Sequence, residues 1–309
     1  MLINILLLIF GFILLIKGAD YFVDGASALA TRMHIPAIII GLTVVAMGTS
    51  APEAAISISS ALHGSNAIAI GNVIGSNIVN IFLILGISAI ITNLKIQKNT
   101  LRYEIPFTAF ITILLCWFGF QYHQISRVGA GILLALFAVF LAYLFVMSQN
   151  SADTNTTTKQ AGATKIILYI ALGILALIYG SKITVIAAID IAQMIGISER
   201  IIGLTIVAIG TSLPELVTST IAAFKGQSDI AIGNIIGSNI FNILFVLGIA
   251  GVILPIPFNP AFLTDGLVAL LAVVLLGICT MRHKILNRNA GILFIVIYLI
   301  YTLYLILGK

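Results

Sequence analysis

The chain has 309 residues, 61% of them hydrophobic and only 8% charged, with a mean hydropathy of +1.20. A soluble domain needs roughly a quarter of its residues charged, so this composition excludes an ordinary water-soluble protein and requires a lipid bilayer around most of the chain. The formal net charge of +5 has no clustered basic patch behind it, which excludes nucleic acid as a partner.

Apolar stretches of the about 20 residues needed to cross a bilayer fall near 2 to 25, 36 to 61, 67 to 92, 104 to 121, 128 to 147, 165 to 190, 200 to 223, 230 to 254, 260 to 281 and 290 to 308. They predict an all-α polytopic membrane protein with ten transmembrane helices. The first stretch is read as a helix and not a signal peptide, because Lys17, Asp20 and Asp24 follow its apolar part without a cleavage region. Between spans five and six, residues 148–164 form a polar linker too short for a folded domain.

Excess Lys and Arg in short loops marks the cytoplasmic side. Loops after the odd spans hold ten of the 15 basic residues, including Lys95, Lys98, Arg102, Lys225 and Arg282. Loops after the even spans, with the C-terminus, hold three: Arg127, Arg200 and Lys309. Both termini are therefore expected outside and the linker in the cytoplasm, where glycosylation at Asn155 is not expected. Cys116 and Cys279 lie within spans as buried packing residues. His34, His63, His123 and His283 fall at span ends or in loops, as interface residues.

Residues 41–86 align without a gap on residues 203–248, at a constant offset of 162 and with 27 of 46 positions identical. The chain is thus a duplication, with repeats over 1–147 and 165–309. Each repeat holds five spans, an odd number, so the second enters the membrane from the opposite side. Inverted repeats of this kind serve alternating access in secondary transporters, with the substrate held near the midplane between them.

Two motifs survive in both copies. One is GTSAPE at Gly48 and GTSLPE at Gly210; the other is GNVIGSNIVN at Gly71 and GNIIGSNIFN at Gly233. Burying Glu53 and Glu215 in a bilayer costs several kcal/mol each without a partner. No Lys or Arg stands near them, so a cation shared by both is the natural counter-charge. Pro52 and Pro214 remove helix hydrogen bonds, which frees carbonyls near 46–48 and 208–210. Thr49, Ser50, Thr211 and Ser212 add hydroxyls, and Ser76 with Asn80, like Ser238 with Asn242, share a helix face four residues apart. A hard cation such as Ca²⁺ takes such oxygens, whereas zinc, copper and iron favour the thiol and imidazole ligands this set lacks. Gly71 with Gly75 and Gly233 with Gly237 form small-xxx-small patterns for close helix packing. Asn72, Asn77, Asn234 and Asn239 are read first as interhelical hydrogen-bonding residues. An enzyme is not expected, since neither a nucleophile with a base nor an HExxH site occurs.

These paired motifs resemble the two alpha-repeats of the cation/calcium exchanger superfamily, particularly its prokaryotic sodium/calcium exchangers, and the similarity runs through essentially the whole chain. The resemblance implies exchange of Na⁺ for Ca²⁺ as cargo, without a cofactor, at four sites clustered in a diamond midway across a prokaryotic plasma membrane. Carried over, Glu53 and Glu215 would be the central Ca²⁺ ligands, assisted by Thr49 and Thr211. The Na⁺ sites would use Ser50, Ser76, Ser212, Ser238 and the carbonyls of Ala46 and Ala208 together with the same glutamates, with Asn80 and Asn242 at the remaining corners. Some relatives, including potassium-dependent ones, carry aspartate where this chain has Asn242, so potassium independence is implied. The resemblance also implies that helices one and six slide past the rest, eased by Gly11, Gly18, Gly173 and Gly180. A monomer is the expected form. An H⁺/Ca²⁺ antiporter using the same glutamates is the closest rival, and a cation channel a more distant one.

Overall fold

The computed structural model describes residues 1–64, 66–149, 162–196 and 208–307. Asn155, Lys159, Arg200, Lys309, most of the expected linker and the beginning of the expected seventh span lie outside the described residues. Hydrocarbon offers no water to backbone groups, so each segment must satisfy its own. The described chain is accordingly helical almost throughout.

In chain order, α1 (Leu2–Met33) precedes α2 (Ala37–Ile40), which continues through a π turn (Gly41–Val45) into α3 (Ala46–Thr49). After a break at Ser50 comes α4 (Ala51–Leu62), and then α5 (Asn66–Ile78), joined by a π turn (Val79–Leu85) to α6 (Gly86–Ile91). Strand β1 (Leu94–Lys95), a π turn (Thr100–Glu104) with α7 (Ile105–Tyr122), β2 (Gln124–Ile125) and α8 (Arg127–Gln149) complete the first half. The second half holds α9 (Ala163–Met194), α10 (Ala208–Thr211), α11 (Leu213–Phe224) and α12 (Ser228–Phe241), whose π turn (Asn242–Val246) leads into α13 (Leu247–Ile253). Strand β3 (Ile256–Pro257), α14 (Pro260–Met281), β4 (Ile285–Leu286) and α15 (Arg288–Leu307) follow.

Eight helices among the described residues are long and apolar enough to cross a membrane, or nine when the pair broken at Ser50 counts as one span. The expected second span is therefore not one kinked helix: its halves meet at 51°, with Pro52 in the first turn of the new helix. Of the expected seventh span only the short helices α10 and α11 are described. Helix α1 runs to Met33, so Arg32 belongs to its last turn and not to a loop.

The most enclosed helices are α12–α13 and α5–α6, at 83% and 72% buried, against 22% for α1 and α15. Helix α12 packs against α2, its π turn and α3, so the two halves of the chain interlock. Helices α1 and α9 run antiparallel along each other: Gly18 faces the Gly173 carbonyl, while Gly11 faces that of Gly180. A Cβ on Gly11 would stand 2.3 Å from Thr184 Oγ1, so only glycine fits there. At one end of this pair Lys225 bridges Asp20 and Asp24 of α1 at 2.6 and 2.5 Å.

The short strands were not expected from the sequence. Leu94 pairs with Leu286, and Ile125 with Ile256, both antiparallel. The first pairing joins the loop after the expected third span to that after the ninth, and the second joins the loops after the fourth and eighth. Each therefore links loops that the charge bias assigns to one side.

Candidate cation site

The site is built where the break at Ser50 and the corresponding break at Ser212 meet α5 and α12. Ser50 has φ −80° and ψ 6°, and Ser212 φ −90° and ψ 10°, so each serine leaves the helical path just before a proline that starts the next helix. Glu53 and Glu215 then fall in the first turns of α4 and α11, 1% and 0% exposed. A carboxylate is favoured there, because the first amides of a helix have no backbone acceptor and carry a partial positive charge.

The carboxylates are held crosswise. Ser50 Oγ donates to Glu215 Oε1 at 2.7 Å, and Ser212 Oγ donates to Glu53 Oε1 at 3.3 Å. Each glutamate is thus fixed by the serine of the other half. Buried Thr49 donates to Asn234 Oδ1 at 2.9 Å, and Ser238 Oγ reaches the Ala46 carbonyl at 3.5 Å. The side-chain amides of Asn80 and Asn242 donate to Asn239 Oδ1 and Asn77 Oδ1, at 2.9 and 3.2 Å, which leaves their own amide oxygens turned away.

Five buried oxygens of this set have no hydrogen-bond partner among the described residues: Glu53 Oε2, Glu215 Oε2, Ser76 Oγ, Asn80 Oδ1 and Asn242 Oδ1. Orphaned polar atoms cost about 1–3 kcal/mol each when enclosed, more when charged. All five are oxygens, the atom type that a hard cation binds. Among the described residues no group of three His, Cys, Asp or Glu gathers for a metal, so any cation here is met by two carboxylates and neutral oxygens.

Ten of the sequence-predicted residues fall into this arrangement: Thr49, Ser50, Glu53, Ser76, Asn80, Ser212, Glu215, Ser238, Asn242 and the Ala46 carbonyl. Thr211 closes α10 and Ala208 opens it. The carbonyls near the two prolines differ in their partners. The Ala46 carbonyl accepts the Ser50 amide at 3.0 Å, and that of Gly210 accepts Ser181 Oγ of α9 at 2.9 Å. Ser181 was missed because its counterpart at the 162 offset is Ala19, and the repeat gives no signal.

Asn72, Asn77, Asn234 and Asn239 all make interhelical hydrogen bonds. Asn72 reaches Ser57 at 3.0 Å and Asn234 reaches Ser219 at 2.9 Å, while Asn77 and Asn239 each donate to the other's carbonyl at 3.2 and 3.3 Å. Ser57 and Ser219 are identical at the repeat offset, a signal that could have found them.

The two glycine pairs differ. A Cβ on Gly237 would lie 2.7 Å from Ala46 Cβ and the Leu42 carbonyl, and one on Gly233 2.8 Å from the Ile38 carbonyl. Among the described residues nothing lies within 4 Å of a Cβ on Gly75. The expected packing role thus holds for the second pair, whereas Gly71 and Gly75 line a cavity of about 90 Å³ that reaches Ser76 and is closed by Tyr298 and Tyr301 of α15.

The sequence model of the sodium/calcium exchanger protein family matches residues 3–146 and 165–307. The putative antiporter CaxA of Alkalimonas amylolytica is 37% identical over 97% of this chain and 98% of its own. The sodium/calcium exchanger MaX1 of Methanosarcina acetivorans is 32% identical over 98% of each. The solved structure of the sodium-calcium exchanger NCX_Mj soaked with zero Na⁺ and Ca²⁺ superposes with a TM-score of 0.85 at 32% identity, over 98% of this chain and 99% of that one. The residues that surround Glu53 and Glu215 thus stand in a chain that belongs, over nearly its whole length, to the sodium/calcium exchanger protein family.

Proposed function

We propose that the protein exchanges Na⁺ for Ca²⁺ across the membrane at the Glu53–Glu215 site, independently of K⁺, and that it exports Ca²⁺. The observation that carries this reading is the set of five enclosed oxygens, one from each glutamate and three from Ser76, Asn80 and Asn242, that make no hydrogen bond among the described residues. Two negative charges balance one Ca²⁺ or about two Na⁺, so the ions compete for the same oxygens. A filled site is compensated and can be enclosed, whereas an empty one carries two buried charges. That difference favours exchange over leak.

In this reading Glu53, Glu215, Thr49 and Thr211 hold Ca²⁺. Na⁺ takes the same two glutamates together with Ser50, Ser76, Ser212, Ser238 and the Ala46 and Ala208 carbonyls, with Asn80 and Asn242 at the corners. The chain forms ten spans in two inverted repeats, with both termini outside, in a prokaryotic plasma membrane. The hydrogen bonds that recur at the 162-residue offset, Ser50 to Glu215 beside Ser212 to Glu53, support a pseudo-twofold arrangement. When more positive charge enters with Na⁺ than leaves with Ca²⁺, each net charge contributes about 2.3 kcal/mol per 100 mV toward Ca²⁺ export.

The test is ⁴⁵Ca²⁺ uptake into Na⁺-loaded liposomes diluted into Na⁺-free medium, with a second arm driven by a pH gradient without Na⁺. Uptake in the first arm alone, unchanged by K⁺ or protonophore, supports the proposal. Uptake in the second arm alone reassigns the counter-ion to H⁺.

A further inference from the structure

Away from the cation site, a cavity of about 260 Å³ lies between the start of α7 and α8. Its walls are aromatic: Phe107 stacks on Phe140 with centroids 5.7 Å apart and planes 10° from parallel, and Tyr103 lies 6.1 Å from Tyr143. Tyr103 and Val139, 47% and 61% exposed, stand at its mouth on the outer surface of the helix bundle. At its inner end is Glu104, 1% exposed, in a π turn that replaces the regular helical path.

Tyr143 Oη donates to Glu104 Oε1 and the buried Thr100 hydroxyl stands beside the same carboxylate, whereas the enclosed Glu104 Oε2 makes no hydrogen bond among the described residues. Among the described residues no ion pair reaches Glu104. The other charged group lining the cavity is exposed Arg102, whose guanidinium carbon stands 5.6 Å from the centroid of the Tyr103 ring. A buried carboxylate at the inner end, an arginine at the mouth and aromatic faces between them set out a fixed order of charges. Arginine pairs with phosphate, and a carboxylate with a group bearing several N–H donors.

We propose that this cavity binds the headgroup of a phospholipid with a primary ammonium, its phosphate on Arg102, its ammonium on Glu104 Oε2, and its acyl chains along the exposed apolar flank at Val139. The volume suits a headgroup and excludes the chains. A choline headgroup has no N–H to give Glu104, and a glycerol headgroup has no positive charge. Arg102 falls at the membrane face where the charge bias puts the cytoplasm, which assigns the lipid to the inner leaflet.

The experiment is native mass spectrometry of the purified full chain in detergent, titrated with dioleoylphosphatidylethanolamine, dioleoylphosphatidylcholine, dioleoylphosphatidylglycerol or water-soluble glycerophosphoethanolamine. The expected result is binding of the ethanolamine lipid about tenfold tighter than of the other three. Glu104→Gln, which keeps an acceptor for Tyr143 but removes the charge, abolishes the preference. Val139→Trp, at an exposed position where folding is not at stake, closes the mouth and does the same. Equal binding of choline lipid, tighter binding of glycerol lipid or equal binding of the soluble headgroup would each overturn the proposal. So would an ethanolamine preference that survives Val139→Trp.

Discussion

Ser50 and Glu215 are 165 positions apart in the chain and joined by a buried 2.7 Å hydrogen bond. The reciprocal bond from Ser212 to Glu53 is longer, at 3.3 Å. The two halves of the site are therefore built on one plan and differ in detail.

Glu53→Gln and Glu215→Gln each remove one of the two charges that balance the cation. Sodium-driven ⁴⁵Ca²⁺ uptake is expected to fall by at least about 100-fold in either variant. Melting temperature in the absence of ions should hold or rise, because a neutral amide costs less to bury than an unpaired carboxylate. Normal flux in both variants would refute the site assignment.

The serine asymmetry makes a graded prediction. Ser50→Ala deletes the shorter bond and should raise the Na⁺ concentration for half-maximal exchange about tenfold. Ser212→Ala should have the smaller effect. Na⁺ titrations of Ca²⁺ flux in the two variants compare them directly, and equal shifts would show that the difference in length carries no energetic weight.

Asn242→Asp adds a third carboxylate whose neutral predecessor leaves its Oδ1 unpartnered. Two carboxylates balance Ca²⁺ alone, whereas three balance Ca²⁺ with one monovalent cation. Flux in this variant is expected to respond to external K⁺ while flux in the parent does not. Uptake with and without K⁺ under a constant Na⁺ gradient is the measurement.

Gly75 and Gly237 occupy the same motif position and meet opposite surroundings. Gly237→Ala drives a methyl onto Ala46 and Leu42 at 2.7 Å and is expected to cost about 1–3 kcal/mol, read as a lower melting temperature. Gly75→Ala meets nothing within 4 Å and should leave it unchanged.

Lys225 answers to pH and salt. Burial alone would lower its pKa, but Asp20 and Asp24 outweigh burial and hold it above the ordinary value of 10.5. The raised lysine pKa therefore contributes stability that is present in full below the ordinary value of 10.5 and is lost as pH rises through the elevated one. The lysine is 26% exposed, so Lys225→Gln should cost about 1 kcal/mol or less, and less still at high salt. Thermal melts at low and high ionic strength test this.

The residues that bear charge were the most legible part of the chain. An acid in an apolar helix is costly, and Glu53 and Glu215 recur with their neighbours at one offset, so one sequence sufficed to find them. Less visible was whatever depends on which helices meet. A proline reads equally as a kink or a start, and only the backbone at Ser50 shows that Pro52 opens a new helix. Gly75 and Gly237 are the same letter in the same motif, but Ala46 stands over one of them alone. Ser181, without a counterpart, and the Glu104–Tyr143 pair, on different helices, left no pattern along the chain. The two-residue strands have no periodicity long enough to read.

The glycine seam between α1 and α9 bears on how tightly exchange is coupled. Gly11, Gly18, Gly173 and Gly180 bring the two backbones together, with Thr184, Ala176, Phe22 and Leu14 packed directly against the glycine positions. In the sliding motion expected from the sequence, a lengthwise shift of one helix would drag the other, so that the pair would move as a single bar. In the alternating-access reading, a bar drawn back from one opening advances on the other, so that the two faces of the membrane are not unbarred together. Tight stoichiometry, on this view, is a property of four missing side chains as much as of two carboxylates.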